Sequence, residues 1–153
     1  MKNYNDVLRN PDNYILTDIE KRYIELYSVD NNNSKRERLE RENFRQDCIK
    51  HYKRCIISNV FSGECDACHI IPYGIGLNNI NNSLLLTKSL HNLFDEGYWT
   101  IDYKTGKIII SPMILHEETS IHKYLDINLK NILNKELSNN LRWHYNNIFI
   151  TST

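Results

Sequence analysis

At Arg54 the spacing of apolar residues changes: before it they return every three or four positions, and after it they come in short runs of two-residue character. A chain that switches in this way combines helices with short strands, so the expected class is α+β. Upstream, Thr17 followed by Glu20 reads as a capping box that opens a helix over about 18–28, with Ile19, Tyr23, Ile24 and Tyr27 along one side. The Asn31–Asn33 tract reads as part of a break at 30–34. A second helix is expected over about 35–53, its stripe formed by Phe44, Cys48 and Tyr52.

Downstream, Cys55 to Ser58 is short, apolar and β-branched, Asn59 to Glu64 contains a Ser-Gly turn signal, and Cys65 to Tyr73 is a second apolar run. Together they predict a β-hairpin. A loop rich in Gly and Asn, 74–82, leads to Ser83-Leu84-Leu85-Leu86, after which Thr87 can cap a short helix through about Glu96, with Gly97 as its stop. Two runs flanking Lys104-Thr105-Gly106-Lys107 predict a further tight-turn hairpin. From Ser120 on, Ile121, Leu125, Leu129, Ile132, Leu133 and Leu137 have helical spacing, which predicts one or two C-terminal helices.

The 153 residues suit one domain with a modest core. Apolar residues make up 41% and charged residues 25%, and no run approaches the ~18 apolar residues that a membrane span needs. No membrane partner is expected. The opening MKNYNDVLRNPDNY has neither a secretory apolar core nor transit-peptide character, so an intracellular location is expected. Basic and acidic residues both total 19, and any basic surface must come from local segregation. Between Lys35 and Arg54, eight basic residues face four acidic ones. A solvated helix face with i,i+4 ion pairs and a phosphate-contacting face both fit that run.

Cys48, Cys55, Cys65 and Cys68 crowd into 21 residues, but only Cys65 and Cys68 have ligand-like spacing, and no second pair follows. Buried thiols are the default reading for Cys48 and Cys55.

The segment containing Cys68-His69-Ile70-Ile71-Pro72, Asn82-Ser83-Leu84-Leu85-Leu86 and His91-Asn92-Leu93-Phe94-Asp95-Glu96-Gly97 resembles the HNH endonuclease family, in its branch with an ACHIxP…NGLLL…LHxLFDxG pattern. The resemblance covers roughly Phe44 to Ile110. It implies a ββα-metal core at about 44–110, an N-terminal helical segment over 1–43 and a C-terminal one over 115–150, with the second hairpin as an addition. His69, Asn82 and His91, separated by 13 and 9 residues, match the family's three signature positions.

The resemblance also implies roles. His69 would be the general base, Asn82 would brace the loop that orients it, and His91 would ligate a metal. Asp95, four residues on, shares a helix face with His91 and is either a second ligand or a brace at the helix end. Cys68 stands where many family members carry an acidic or histidine ligand. A thiolate there favours Zn²⁺, whereas an uninvolved Cys68 leaves Mg²⁺ or Mn²⁺ on His91, Asp95 and water, the first expectation. Asp66 is a carboxylate for the shell behind the ligands. Arg45 and Arg54 either contact phosphate or tie the helix to the hairpin, and Arg41 and Lys53 join them as candidate nucleic-acid contacts.

Three functions follow as expectations. The first is a metal-dependent DNA endonuclease, with homodimerisation on a two-fold site possible. The second is a non-catalytic nucleic-acid-binding module with the same fold, and the third a zinc-stabilised interaction domain using Cys65, Cys68 and His91.

Overall fold

The computed structural model describes residues 31–153 together with Thr17 and Asp18. The helix expected over 18–28 therefore lies, Asp18 apart, outside the described residues. The chain divides into two units, Met1–Glu40 and Arg41–Thr153. Every feature of the site lies in the second.

Helix α1 spans Asn31–Tyr52. Phe44 and Cys48, one helical turn apart, are buried, and the helix ends where Lys53 turns left-handed at φ 69° and its N–H still reaches Ile49 O at 2.8 Å.

The expected strand at 55–58 is instead a tight turn. Cys55 N–H donates to Val60 O and Asn59 N–H to Cys55 O, both at 3.0 Å, with Asn59 left-handed at φ 61°. Cys55 and Ile57 are buried all the same and Ile56 partly so, because the turn packs on the core with Ile57 4% exposed. A short apolar run looks alike whether it pairs as a strand or folds back as a buried turn.

The two-stranded sheet is made by β1 (Cys65–His69) and β2 (Ser83–Thr87), antiparallel, with Ala67 opposite Leu85 and His69 opposite Ser83. The long loop between them holds the Asn-rich stretch. Ser83 to Leu86 are fully buried, so β2 is covered on both faces and reads as an unbroken apolar run rather than an alternating one.

Helix α2 (Lys88–Asp95) follows at once. Thr87 stands at its N-cap but makes no side-chain cap bond. Leu90 and Phe94 form its buried stripe. Its end is a Schellman motif: Tyr98 N–H donates to Leu93 O at 2.9 Å and Gly97 N–H to Phe94 O at 3.1 Å, with Gly97 at φ 84°. A Cβ on Gly97 would sit 2.2 Å from Ile148 O, so only glycine fits between α2 and the C-terminal segment.

The second hairpin pairs β3 (Trp99–Ile101) with β4 (Ile108–Ile110), as expected but shorter. The C-terminal part holds one α-helix, α3 (Lys135–Asn147). Residues 120–124 and 130–132 form 3-10 turns instead of the expected helix. The cause is a long-range tie, for Leu129 N–H donates to Gly106 O at 2.8 Å and Asn128 bridges to Lys107. The chain is held flat against the hairpin turn there, and helical spacing of its leucines is overridden.

The mixture of helices with two small antiparallel sheets is the α+β arrangement expected. Among the described residues no helix is long and apolar enough to cross a membrane.

Candidate functional site

β1, β2 and α2 bring the three signature residues to one edge of the sheet. Asp66 and Cys68, two residues apart on β1, both reach α2: Asp66 Oδ2 lies 3.0 Å from His91 Nδ1, and Cys68 Sγ lies 3.7 Å from Asp95 Oδ1. On α2 the i,i+4 spacing of His91 and Asp95 closes a third contact, Nε2 to Oδ2 at 2.9 Å. One ligand atom from each of Cys68, His91 and Asp95 therefore lies within 4.8 Å of the others. Cys65, weighed as a zinc ligand, does not belong to this group. Its sulfur lies against the carbonyls of Phe61 and Val60, at 3.4 and 3.7 Å, and all four cysteines are buried free thiols.

Charge makes this corner unusual. Asp95 sits in the last turn of α2, where the helix dipole disfavours a carboxylate. The carboxylates of Asp95 and Asp66, as acceptors on both ring nitrogens, raise the His91 pKa above its ordinary value, the Asp95 bond being the larger cause. Burial, with the Asp95 carboxylate adding to it, pushes the Cys68 thiol well above its ordinary range. Sulfur, imidazole nitrogen and carboxylate oxygen at these separations form a donor set that suits a borderline-soft divalent cation.

His69 ends β1 and is half-buried. Its ring lies flat on Phe44, with centroids 3.8 Å apart, and meets the edge of Tyr73 at 5.7 Å. Nε2 lies 2.9 Å from Asn78 Oδ1, which as an acceptor keeps the proton on Nε2. The other ring nitrogen has no hydrogen-bond partner among the described residues. Burial lowers the pKa, the Asn78 bond opposes it and the Arg41 charge adds to it.

Asn82 is 1% exposed and works as a clamp. Its Oδ1 accepts from Ile71 N–H at 2.8 Å, while Nδ2 donates to Ile71 O and Leu77 O, both at 2.9 Å. The backbone two residues beyond His69 is thereby fixed to the end of the loop. Neighbouring Asn81 points elsewhere, its Nδ2 donating to Glu136 Oε2 at 2.7 Å.

His69, His91 and Asp95 line an open cleft of about 340 Å³, and a second hollow of about 350 Å³ shares His69, His91, Ala67 and Tyr73 with it. Arg41 and Arg45 border the second hollow. Arg41 lies over the Tyr73 ring at 4.4 Å, and Arg45 Nη1 donates to Cys65 O at 2.9 Å, tying α1 to β1. Arg54 lines a different cavity together with His51 and donates to Asn59 O at 3.2 Å. Lys53, exposed beside it, is likewise not among the lining residues of the His69 cleft.

Several contributors escaped the sequence reading. Asn78 was one of a group of loop asparagines, and Phe44 was a member of a helical stripe. His144 is buried on α3, with Nε2 donating to Phe94 O at 3.0 Å and its ring stacked on Phe94. No local pattern connects it to α2, 50 residues earlier.

Residues 55–102 match the HNH endonuclease family. No curated protein matches the chain.

Proposed function

We propose, on the premise that residues 55–102 form an HNH endonuclease domain, that the chain is a metal-dependent DNA endonuclease with His69 as its general base. One observation carries the reading: His69 lines the same open cleft as His91 and Asp95, which with Cys68 converge on a space of ligand dimensions.

The residues divide the work. The lone pair on His69 Nδ1 takes a proton from water, leaving a hydroxide oxygen to attack phosphorus, because Asn78 holds Nε2 protonated. The bond from phosphorus to the 3′ oxygen breaks, and that oxygen takes up a proton from solvent. Asn82 keeps His69 on this heading by fixing Ile71. Phe44 holds the ring in its plane. Arg41 and Arg45, beside the same histidines, supply positive charge for the phosphate backbone. His91, Asp95 and Cys68 would hold a divalent cation, and such an ion would neutralise charge on the phosphate and on the leaving oxygen. With a sulfur donor in the set, Zn²⁺ or another borderline-soft ion, which would displace the Cys68 proton on binding, fits better than Mg²⁺ or Mn²⁺, which prefer oxygen donors. Asp66 orients His91 from behind through Nδ1.

The test is cleavage of plasmid DNA by the purified chain with Mg²⁺, Mn²⁺, Ni²⁺ or Zn²⁺. Nicking that disappears with chelator and in His69→Ala is expected. Intact plasmid with every ion, or a His69→Ala protein as active as the native chain, overturns the reading.

A further inference from the structure

The two halves of the site, the loop behind His69 and the helix bearing His91 and Asp95, are both held by the C-terminal segment, which lies outside the matched residues 55–102. On the loop side, Glu136 in the first turn of α3 accepts from two asparagines: Asn79 Nδ2 at 3.2 Å on Oε1 and Asn81 Nδ2 at 2.7 Å on Oε2. Asn134 and Asn140 complete the grip, donating to Asn81 Oδ1 and to Asn81 O, each at 2.9 Å. Asn79 passes the hold on, since its Oδ1 and its backbone O accept from Asn82 N–H. Asn82 clamps Ile71, and Asn78 lies on His69. On the helix side, His144 donates to Phe94 O, next to Asp95, and Ile150 N–H donates to Gly97 O at 2.9 Å.

We infer that α3 acts as a calliper that sets the separation of the base from the metal-holding side chains, and that Glu136 is a positioning residue for His69. The inference rests on the nuclease reading above. The chemistry favours Glu136 for this task. A carboxylate takes both asparagine amides at once, one on each oxygen, and near the N-terminus of α3 its charge is favourably placed against the helix dipole. Its bonds fall on side chains whose own backbones form the turn leading into β2. Loss of the two Glu136 bonds releases Asn79 and loosens residues 78–80, with Asn81 still held by Asn134 and Asn140, and it does so without unpacking the core, because the buried stripe of α3, Leu137, Leu141 and His144, is untouched. A shift of this kind displaces the base from a reacting phosphate and acts on turnover more than on binding.

The experiment compares Glu136→Ala, Glu136→Gln and the control Lys135→Ala, an exposed neighbour on the same turn. Plasmid nicking at saturating DNA is measured beside amide exchange at Ile71 and the His69 ring resonances, both read without DNA. The expected result is a fall in kcat of about tenfold for Glu136→Ala with KM held within about twofold. Ile71 exchanges faster and the His69 resonances move. Glu136→Gln, which keeps one acceptor, recovers part of each effect, and Lys135→Ala resembles the native chain. Unchanged Ile71 exchange and unchanged His69 resonances in Glu136→Ala overturn the calliper, as does a kcat equal to the native one. If the native chain cuts nothing, the nuclease reading fails while Ile71 and His69 still judge the positioning role.

Discussion

The imidazole of His69 lies parallel to the Phe44 ring, with 3.8 Å between centroids and 9° between planes. Phe44 comes from α1 and His69 from the end of β1, so the stack ties the ring's heading to the seating of a whole helix. It also supplies part of the burial that lowers the His69 pKa. Phe44→Leu keeps an apolar side chain in place but removes the flat cover. The sign follows: less burial eases the cost of the charged imidazole, so the pKa of His69 rises towards its ordinary value. Titration of the His69 ring protons by NMR checks this, and an unchanged midpoint would show that the stack does not control the His69 pKa.

Asn82→Ala leaves three backbone groups without partners, Ile71 N–H, Ile71 O and Leu77 O. An orphaned buried group costs about 1–3 kcal/mol, and because Leu77 is 68% exposed and water can take up its carbonyl, the two Ile71 groups set an expected loss on the order of 2 kcal/mol. Asn82→Asp does not restore it, for a carboxylate oxygen then faces two carbonyl oxygens. Chemical denaturation gives the comparison, and Asn81→Ala, whose side chain bonds lie at the surface, should cost less. Equal losses for the two would remove the distinction between clamp and neighbour.

The sequence carried His69, Asn82 and His91 as a spacing, because each sits on an element whose local pattern is strong: an apolar strand, a turn before an apolar run, a helix with a clear stop at Gly97. Where tertiary contacts decide conformation, local reading failed. Cys55 to Ser58 has strand-like residues yet folds back, since Cys55 N–H closes on Val60 and Asn59 N–H on Cys55, leaving a single bond, from Ile56 N–H to Leu85, onto β2. Leu125 and Leu129 have helical spacing, but the bond from Leu129 to Gly106 holds that stretch against the hairpin. The roles of Glu136 and His144 were illegible for a related reason. Their partners lie 55 and 50 residues away, and nothing in a window of sequence records a contact of that span.

The donor set predicts a metal dependence that can be read without substrate. His91→Ala and Asp95→Ala each remove one of three converging ligands, and Cys68→Ser keeps the volume while exchanging sulfur for oxygen. In the native chain Zn²⁺ is expected to raise the melting temperature by mass action, because the ligands converge only in the folded state. The rise should vanish in His91→Ala and shrink in Cys68→Ser. Cobalt supplies a second readout, since a thiolate ligand gives an intense sulfur-to-metal absorption band that Cys68→Ser abolishes. A native chain whose melting temperature ignores Zn²⁺, Mn²⁺ and Mg²⁺ alike would argue against any ion at this corner.

His144 gives the fold an acid limit. Its Nε2 donates to Phe94 O, so Nδ1 is the bare nitrogen that accepts from Thr100 Oγ1 at 2.9 Å, and the buried ring is neutral. Burial lowers its pKa from 6.5 to about 4. In the unfolded chain the same ring takes up its proton near pH 6.5, so between there and about pH 4 the unfolded state binds more protons and stability falls as the pH drops. The full contribution is present above pH 6.5, and about 3 kcal/mol is lost by the time the pH has passed through about 4. Denaturant unfolding at a series of pH values between 7 and 4 measures the slope. His144→Phe keeps the stack on Phe94, whose carbonyl still accepts from Gly97 N–H, and lacks the titrating group. That variant is expected to start less stable at pH 7, because Thr100 Oγ1 loses its acceptor, and to lose less as the solution is acidified. Parallel pH profiles for the two proteins would show that another group sets the limit.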